Sequence, residues 1–234
     1  MSGHSKWATT HRQKAVVDAK RGAAFTKLGN MIAIAARGGT DPTTNSSLAL
    51  AIEKARAANM PNANIQRAID RINDKNAAAL EEAVYEGYGP GGVGIIIETA
   101  TDNKNRTYPE VRTALTKNGG TMADSGSVMF QFARKGVIRV AASGEEALLT
   151  VLDAGAEDAT EEDGGLTVYT DKKELAKVRE ALLAAGMTVE DAELQYVPNN
   201  TVAIDDDETA RKLTKIIDAL EALDDVTNVA TNAA

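Results

Sequence analysis

Six cations in the first 27 residues, Lys6, Arg12, Lys14, Lys20, Arg21 and Lys27, have the clearest chemical capacity in this chain, and that capacity is contact with phosphate. Lys and Arg gain affinity for a polyanion by releasing counterions condensed on it. Residues 1–75 hold twelve Lys/Arg against five Asp/Glu, a balance of +7, whereas the other 159 residues carry −15. The chain as a whole, with a net charge of −8, hides this asymmetry. Trp7 and His11 lie among the basic residues. The Trp7 ring has two readings: it pins the basic arm onto the following helices, the favoured one, or it stacks on a base. His4 and His11 lack a third ligand at helical spacing, so no metal is assigned to them.

The elements that must position these groups follow from periodicity. Residues 1–13 read as an extended arm. A helix is expected from Lys14 to Arg37, with Phe25, Leu28 and Ile32 on one face and Gly38-Gly39 as its stop. Lys20 and Lys27 share a face about a third of a turn from that stripe, so the helix can pack and still present ammonium groups. An ordinary solvated face is the plain alternative. Further helices are expected over Ser47–Asn59 and, capped by Asn62, as far as Asn73, with Ile65, Ile69 and Ile72 inward.

The pattern then changes. Ala83–Tyr88 and Val93–Ala100 read as a hairpin around Gly-Pro-Gly-Gly, followed by a helix over Asn105–Asn118 and a strand over Val128–Phe132. A βαββαβ series fills Val137–Val197, the pattern of a ferredoxin-like split βαβ unit. A strand (Thr201–Ile204), a helix (Asp207–Leu223) and a strand (Val226–Ala230) remain, and they complete the earlier β-β-α-β into a second sandwich. The expected fold is α+β: a three-helix N-terminal domain (1–77), a discontinuous α+β domain (78–133 plus 200–234) and an inserted ferredoxin-like domain (134–199).

Other residues admit chemistry but mostly carry plain alternatives. The glycines of 87–94 lead into a strand rather than a helix, so they do not cradle phosphate. Arg106 lies at a strand end where loops commonly bind, and Lys117 precedes the helix stop Asn118-Gly119-Gly120. They sit at opposite ends of one helix and need not form one patch. Acidic clusters at 161–163, 205–207 and 224–225 could bind magnesium or act as acid and base, but capping and solvation explain them better. With no Cys, no His outside the arm and no phosphate loop, no catalytic constellation and no cofactor is expected. No apolar run approaches a membrane span and no secretory leader is visible, so the expected compartment is the cytoplasm.

Separated motifs run the length of the chain: Gly3-His4-Ser5-Lys6-Trp7, His11-Arg12, Asp18-Ala19-Lys20-Arg21, Phe25-Thr26-Lys27, Asn59-Met60-Pro61, Tyr85-Glu86-Gly87-Tyr88-Gly89-Pro90-Gly91-Gly92, Asn105-Arg106-Thr107, Lys117-Asn118-Gly119-Gly120 and Leu220–Val226. On these the chain resembles the YebC/PmpR family, which includes the mitochondrial translational activator of cytochrome c oxidase. The resemblance implies three domains, the third inserted in the second, and a non-enzymatic nucleic-acid-binding regulator. Members have been assigned as DNA-binding transcriptional regulators, others as translation factors acting on ribosomes at proline-rich stretches. One departure is Gln13 after His11-Arg12, where the family's usual Lys would add a phosphate contact.

The expected binding residues are therefore Lys6, Trp7, His11, Arg12, Lys14, Lys20, Arg21, Lys27, Arg106 and Lys117. The expected partner is ribosomal RNA in the ribosome, slightly favoured, or promoter DNA. No recognition-helix pattern supports the DNA reading directly. Neither a membrane nor a small-molecule substrate is expected, and a monomer is. A metal-dependent hydrolase built on the acidic clusters is the remaining, weaker alternative.

Overall fold

The computed structural model describes residues 19–74, 78–162 and 164–234. Helix α1 (Ala19–Ala35) is followed by α2 (Ser46–Ala57) and α3 (Asn62–Asp70). Asn45 joins the first two. Its side-chain oxygen accepts the Leu48 N–H at 3.1 Å, capping α2, while its Nδ2 donates at 2.7 Å to the carbonyls of Ala35 and Gly39 at the end of α1. Leu28, Ile32, Leu48, Ile52, Met60, Ile65 and Ile69 form the core of this lobe. Two local expectations change. Pro61, not Asn62, occupies the α3 cap, with no side-chain capping bond. The chain then tightens into a 3-10 turn over Arg71–Asn73, which rotates Ile72 off the inward stripe and leaves it 41% exposed.

Strands β1 (Glu81–Tyr88) and β2 (Gly94–Thr101) form an antiparallel hairpin, with Tyr88 opposite Gly94. Its turn requires positive φ at Gly91 (75°) and Gly92 (79°). Helix α4 (Lys104–Lys117) leads to a short strand β3 (Thr121–Ala123), which pairs with β1. After the inserted unit, α7 (Asp207–Glu221) leads to β8 (Val226–Thr231), which pairs with β2. The sheet order is β3-β1-β2-β8. Ile95 and Ile97 face α4 and α7, packing with Leu115, Leu213 and Ile216. Ile96 faces the other way, onto Val128, Phe132 and Ala230. Burial on both faces accounts for the unbroken Ile-Ile-Ile run.

The insertion comprises β4 (Phe132–Val140), α5 (Glu145–Asp153), β5 (Asp158–Glu162), β6 (Gly165–Asp171), α6 (Leu175–Ala184) and β7 (Val189–Pro198). Its sheet order, β5-β6-β4-β7, is that of a split βαβ unit, closed over a core that includes Ile138, Val151, Val168, Val178 and Leu182. The fold is thus an N-terminal helical lobe and two α/β sandwiches, the second inserted in the first.

Two strand expectations are corrected, and one strand was not expected. Val128–Phe132 is not a strand: residues 129–131 form a 3-10 turn, and β4 is a single strand running from Phe132 to Val140. Thr201–Ile204 makes only an isolated parallel bridge, Val202 to Ala233. β3, three residues long, carries no alternation from which to read it.

The turn replacing the expected strand is fixed from below. The buried Glu86 carboxylate accepts the N–H groups of Gly126 (2.5 Å), Val128 (2.6 Å) and Met129 (2.8 Å). Burial works to raise this carboxyl, but the three backbone donors outweigh it and hold it below its ordinary value. That stabilisation is complete above the unfolded carboxyl value and fades as pH falls through the lower folded value. Glu86→Gln is expected to cost about 1–3 kcal/mol at neutral pH. In denaturant titrations, the gap between wild type and variant should narrow below about pH 4.

Candidate nucleic-acid interface

The expected binding residues separate into three groups. Lys6, Trp7, His11, Arg12 and Lys14 lie outside the described residues, as do the side chains of Lys20 and Arg21, whose backbone forms the first turn of α1. Lys27 and Arg106 form a second group, both held against one acidic turn. Lys117 lies alone, exposed at the far end of α4.

That acidic turn, Glu221–Asp225, links α7 to β8. Asp225 is 7% exposed, and its carboxylate takes two contacts from Arg106 Nη2, at 2.7 and 3.0 Å. It also accepts the hydroxyls of Thr101 at 3.0 Å and Thr107 at 2.6 Å. Burial raises the Asp225 carboxyl, but these donors and the guanidinium charge bring it below its ordinary value. The backbone carbonyl of Asp225 accepts the Ala100 N–H at 2.8 Å, joining the turn to β2. Asp102 adds a second acidic contact to Arg106 at 3.3 Å.

Lys27 reaches the same turn from the helical lobe, its ammonium donating to the Glu221 carbonyl. Burial lowers the Lys27 ammonium, opposed by the charges of Glu221 and Asp224. The face that it was expected to share with Lys20 therefore turns, at Lys27, inward to a lobe contact. Sequence reasoning missed the other members of that contact. Arg71 bonds Asn30 at 3.3 Å and pairs with Asp102 at 3.6 Å, Asn30 reaches the Ala100 carbonyl at 3.4 Å, and Arg37 donates to Leu80 O at 3.2 Å. No periodicity marks such residues, because each reads as an ordinary polar position on a helix.

The helical lobe meets the inserted lobe through charge. Lys54 pairs with Glu193 and, at 3.7 Å, with Asp191, while Glu53 pairs with Arg179. A cavity of about 590 Å³ lies where the three lobes meet, lined by Ser46, Leu50, Lys54, Glu98, Arg134 and Leu175 among others. Arg134 is committed there, bonded to Glu98 at 2.7 Å and lying 4.9 Å from the centre of the Tyr196 ring.

Two of the acidic clusters, 205–207 and 224–225, have local duties. Asp206 caps α7 by accepting the Thr209 N–H at 2.8 Å, and Asp225 is used as above. Among the described residues no group of three or more His, Asp or Glu side chains is placed to hold a metal ion. Among them, too, no helix is long and apolar enough to cross a membrane.

Comparison with known proteins agrees with this architecture. Residues 5–75 match the model of the TACO1/YebC protein N-terminal domain, and residues 80–233 match that of the TACO1/YebC second and third domain. The chain belongs to the TACO1/YebC family. A relative from Moorella thermoacetica, named "Probable transcriptional regulatory protein", is 52% identical over 240 residues, covering 100% of this chain and 95% of its own. One of the same description from Chlorobaculum tepidum is 51% identical over 238 residues, covering 99% and 94%. The crystal structure of a conserved hypothetical protein from Aquifex aeolicus superposes with a TM-score of 0.89 at 44% identity, covering 95% of this chain and 93% of that one.

Within this family chain, Lys27 and Lys117 respond differently to charge reversal. Lys27→Glu sets a carboxylate beside Glu221 and Asp224 and removes the bond between lobes. It is expected to cost about 1–3 kcal/mol and lower the unfolding midpoint by several degrees. Lys117→Glu, at an exposed helix end, should stay within about 0.5 kcal/mol of wild type. Differential scanning calorimetry of both checks the contrast.

Proposed function

We propose that this chain is a non-enzymatic nucleic-acid-binding regulator of gene expression that works on the ribosome, contacting ribosomal RNA and helping translation past stalls at proline-rich stretches. The observation that carries the reading is the charge division, +7 over residues 1–75 against −15 over the rest. A polyanion is drawn to the first segment and repelled by the remainder, which orients a single mode of approach. Since Lys27 and Arg106 are engaged within the molecule, the contact is assigned to Lys6, Trp7, His11, Arg12, Lys14, Lys20 and Arg21, with Lys117 as an outlying cation. Residues 1–77 act as the binding domain. The discontinuous domain of residues 78–133 and 200–234, with 134–199 inserted, reaches a second site. The protein acts in the cytoplasm as a monomer.

A second reading, regulation of transcription through promoter DNA, is favoured by one observation, the printed description of the relatives from Moorella and Chlorobaculum. No recognition-helix pattern in the sequence supports it. The ribosomal reading needs only a basic lobe on an acidic body.

The two readings separate on a sucrose gradient of gently lysed cells. Tagged protein is expected to migrate with ribosomal particles, to persist there after DNase, and to leave them in the Lys20→Glu/Arg21→Glu variant. Each lost phosphate contact should also reduce the salt dependence of binding by about one unit of log–log slope. Protein that stays at the top of the gradient and binds a promoter fragment tightly at physiological salt establishes the transcriptional reading instead.

A further inference from the structure

The core of the helical lobe, from Leu28 to Ile69, is closed within the lobe. Among the described residues, Leu50 is the one side chain of this lobe that packs into another lobe's apolar cluster. The bonds that join the lobe to its neighbours are polar. Lys27 donates to the Glu221 carbonyl, with the charge of Asp224 close by, and Arg71 pairs with Asp102 at 3.6 Å. Lys54 pairs with Glu193 and, at 3.7 Å, with Asp191, and Glu53 returns one pair to Arg179. Two cavities, of about 590 and 550 Å³, lie along this seam. The second is lined by Thr26, Asn30, Arg71, Asp102, Arg106 and Asp225 among others. Neither sheet draws a strand from the lobe, so the lobe can leave without unfolding either sandwich.

A seam of this kind holds only while its charges prefer each other to water. Lys54 and Arg71 each keep 33% of their side-chain surface exposed, so their pairs gain little over solvation. Polar, incompletely packed contacts between lobes are the ones that move. The signs of the charges give that motion a cause. Of the cations whose side chains are described in the lobe, Lys27, Arg37, Lys54 and Arg71 are bonded at the seam, whereas Arg56 and Arg67 stay exposed. Asp102, Asp191 and Glu193 thus stand where phosphate oxygens would, holding cations of the segment that carries the positive excess. A cation held by a carboxylate is not free for a phosphate, and the two compete for it. The acidic sandwiches are in this sense an internal rival of any polyanion that approaches the lobe.

We propose that this seam is an electrostatic latch: the helical lobe swings off the sandwiches as a rigid body when a polyanion takes Lys27, Lys54 and Arg71 from their partners there. The closed arrangement is then the autoinhibited one, weak for phosphate, and binding opens it. This rests on the nucleic-acid reading above and adds how that contact is regulated. The lobe itself survives opening, since its core and the Asn45 bonds between α1 and α2 lie wholly within it.

The test uses the full chain, which has no Cys of its own, so cysteines placed in it react alone. In the Glu53→Cys/Arg179→Cys variant a short bismaleimide bridges the seam in place of that ion pair, and the same protein capped with N-ethylmaleimide is the control. Both are titrated against a labelled RNA hairpin over a range of KCl. The bridge is expected to weaken binding and to lower the log–log salt slope by about two to three units, since three cations are withheld at about 0.7–0.9 unit each. A dye pair on the exposed positions of an Ala63→Cys/Ala184→Cys variant reports the motion. Energy transfer should fall at saturating RNA, and also in roughly 1 M KCl, where the screening length is about 3 Å, while far-ultraviolet circular dichroism stays unchanged. Equal affinity and slope with and without the bridge overturn the latch and leave the nucleic-acid reading standing. Transfer that falls in salt but not with bound RNA also overturns it, because the lobe then moves without phosphate as its trigger. Wild-type protein that binds the hairpin at no salt concentration overturns both readings.

Discussion

A carboxylate taken out of water must be matched by donors, and Asp225 is matched from two elements that are distant in sequence. Arg106 and Thr107 come from the first turn of α4, and Thr101 from the end of β2. Its own backbone bonds Ala100 and so starts the β2–β8 ladder. Losing either side leaves a buried charge or buried hydroxyls without partners, which is costlier than losing a surface pair. The junction where the chain returns from the inserted lobe is therefore specified by polar chemistry as well as by the apolar α7 face. Lys27 uses the same turn, so the helical lobe is seated on the junction that closes the first sandwich.

This has a consequence for charge. Among the cations that sequence alone nominates for phosphate, those beside the acidic turn are spent inside the molecule, Arg106 within the first sandwich and Lys27 between lobes. An ion pair in a partly buried contact and a phosphate contact compete for the same group. Part of the positive charge in residues 1–75 is thus used in internal seating, through Lys27, Arg71 and Lys54, while Arg56 and Arg67 stay exposed. The inserted lobe meets the helical lobe through ion pairs beside a cavity and through Leu50 packed on the inserted core, and the ion pairs are the part more sensitive to salt.

Buried polar groups also define the tip of the first sandwich. Glu86 sits in a strand of otherwise ordinary composition, yet its carboxylate replaces the sheet partner that residues 126–129 lack. A loop so held presents its side chains in one arrangement, with the exposed ring of Phe130 at its outer edge.

The sequence by itself determined the architecture. Helical periodicity in the first lobe, the βαββαβ series and the terminal helix and strand were each legible, because burial on one face imposes a period that the residues record. Even the insertion followed, since a leftover helix and strand must find a sheet, and β8 finds it beside β2. The short or irregular pieces were not legible. β3 has three residues, Thr201–Ile204 makes one bridge, and Val128–Phe132 has a strand's composition but a turn's backbone. Their conformations depend on partners remote in the chain, Tyr88, Ala233 and Glu86, and no local pattern encodes those. The binding surface divides likewise. The charge asymmetry could be counted from the sequence, but whether Lys27 and Arg106 face solvent or a carboxylate was decided only by the tertiary structure. A cation's role depends on which oxygen lies nearest, and at both residues that oxygen comes from a segment more than a hundred positions away.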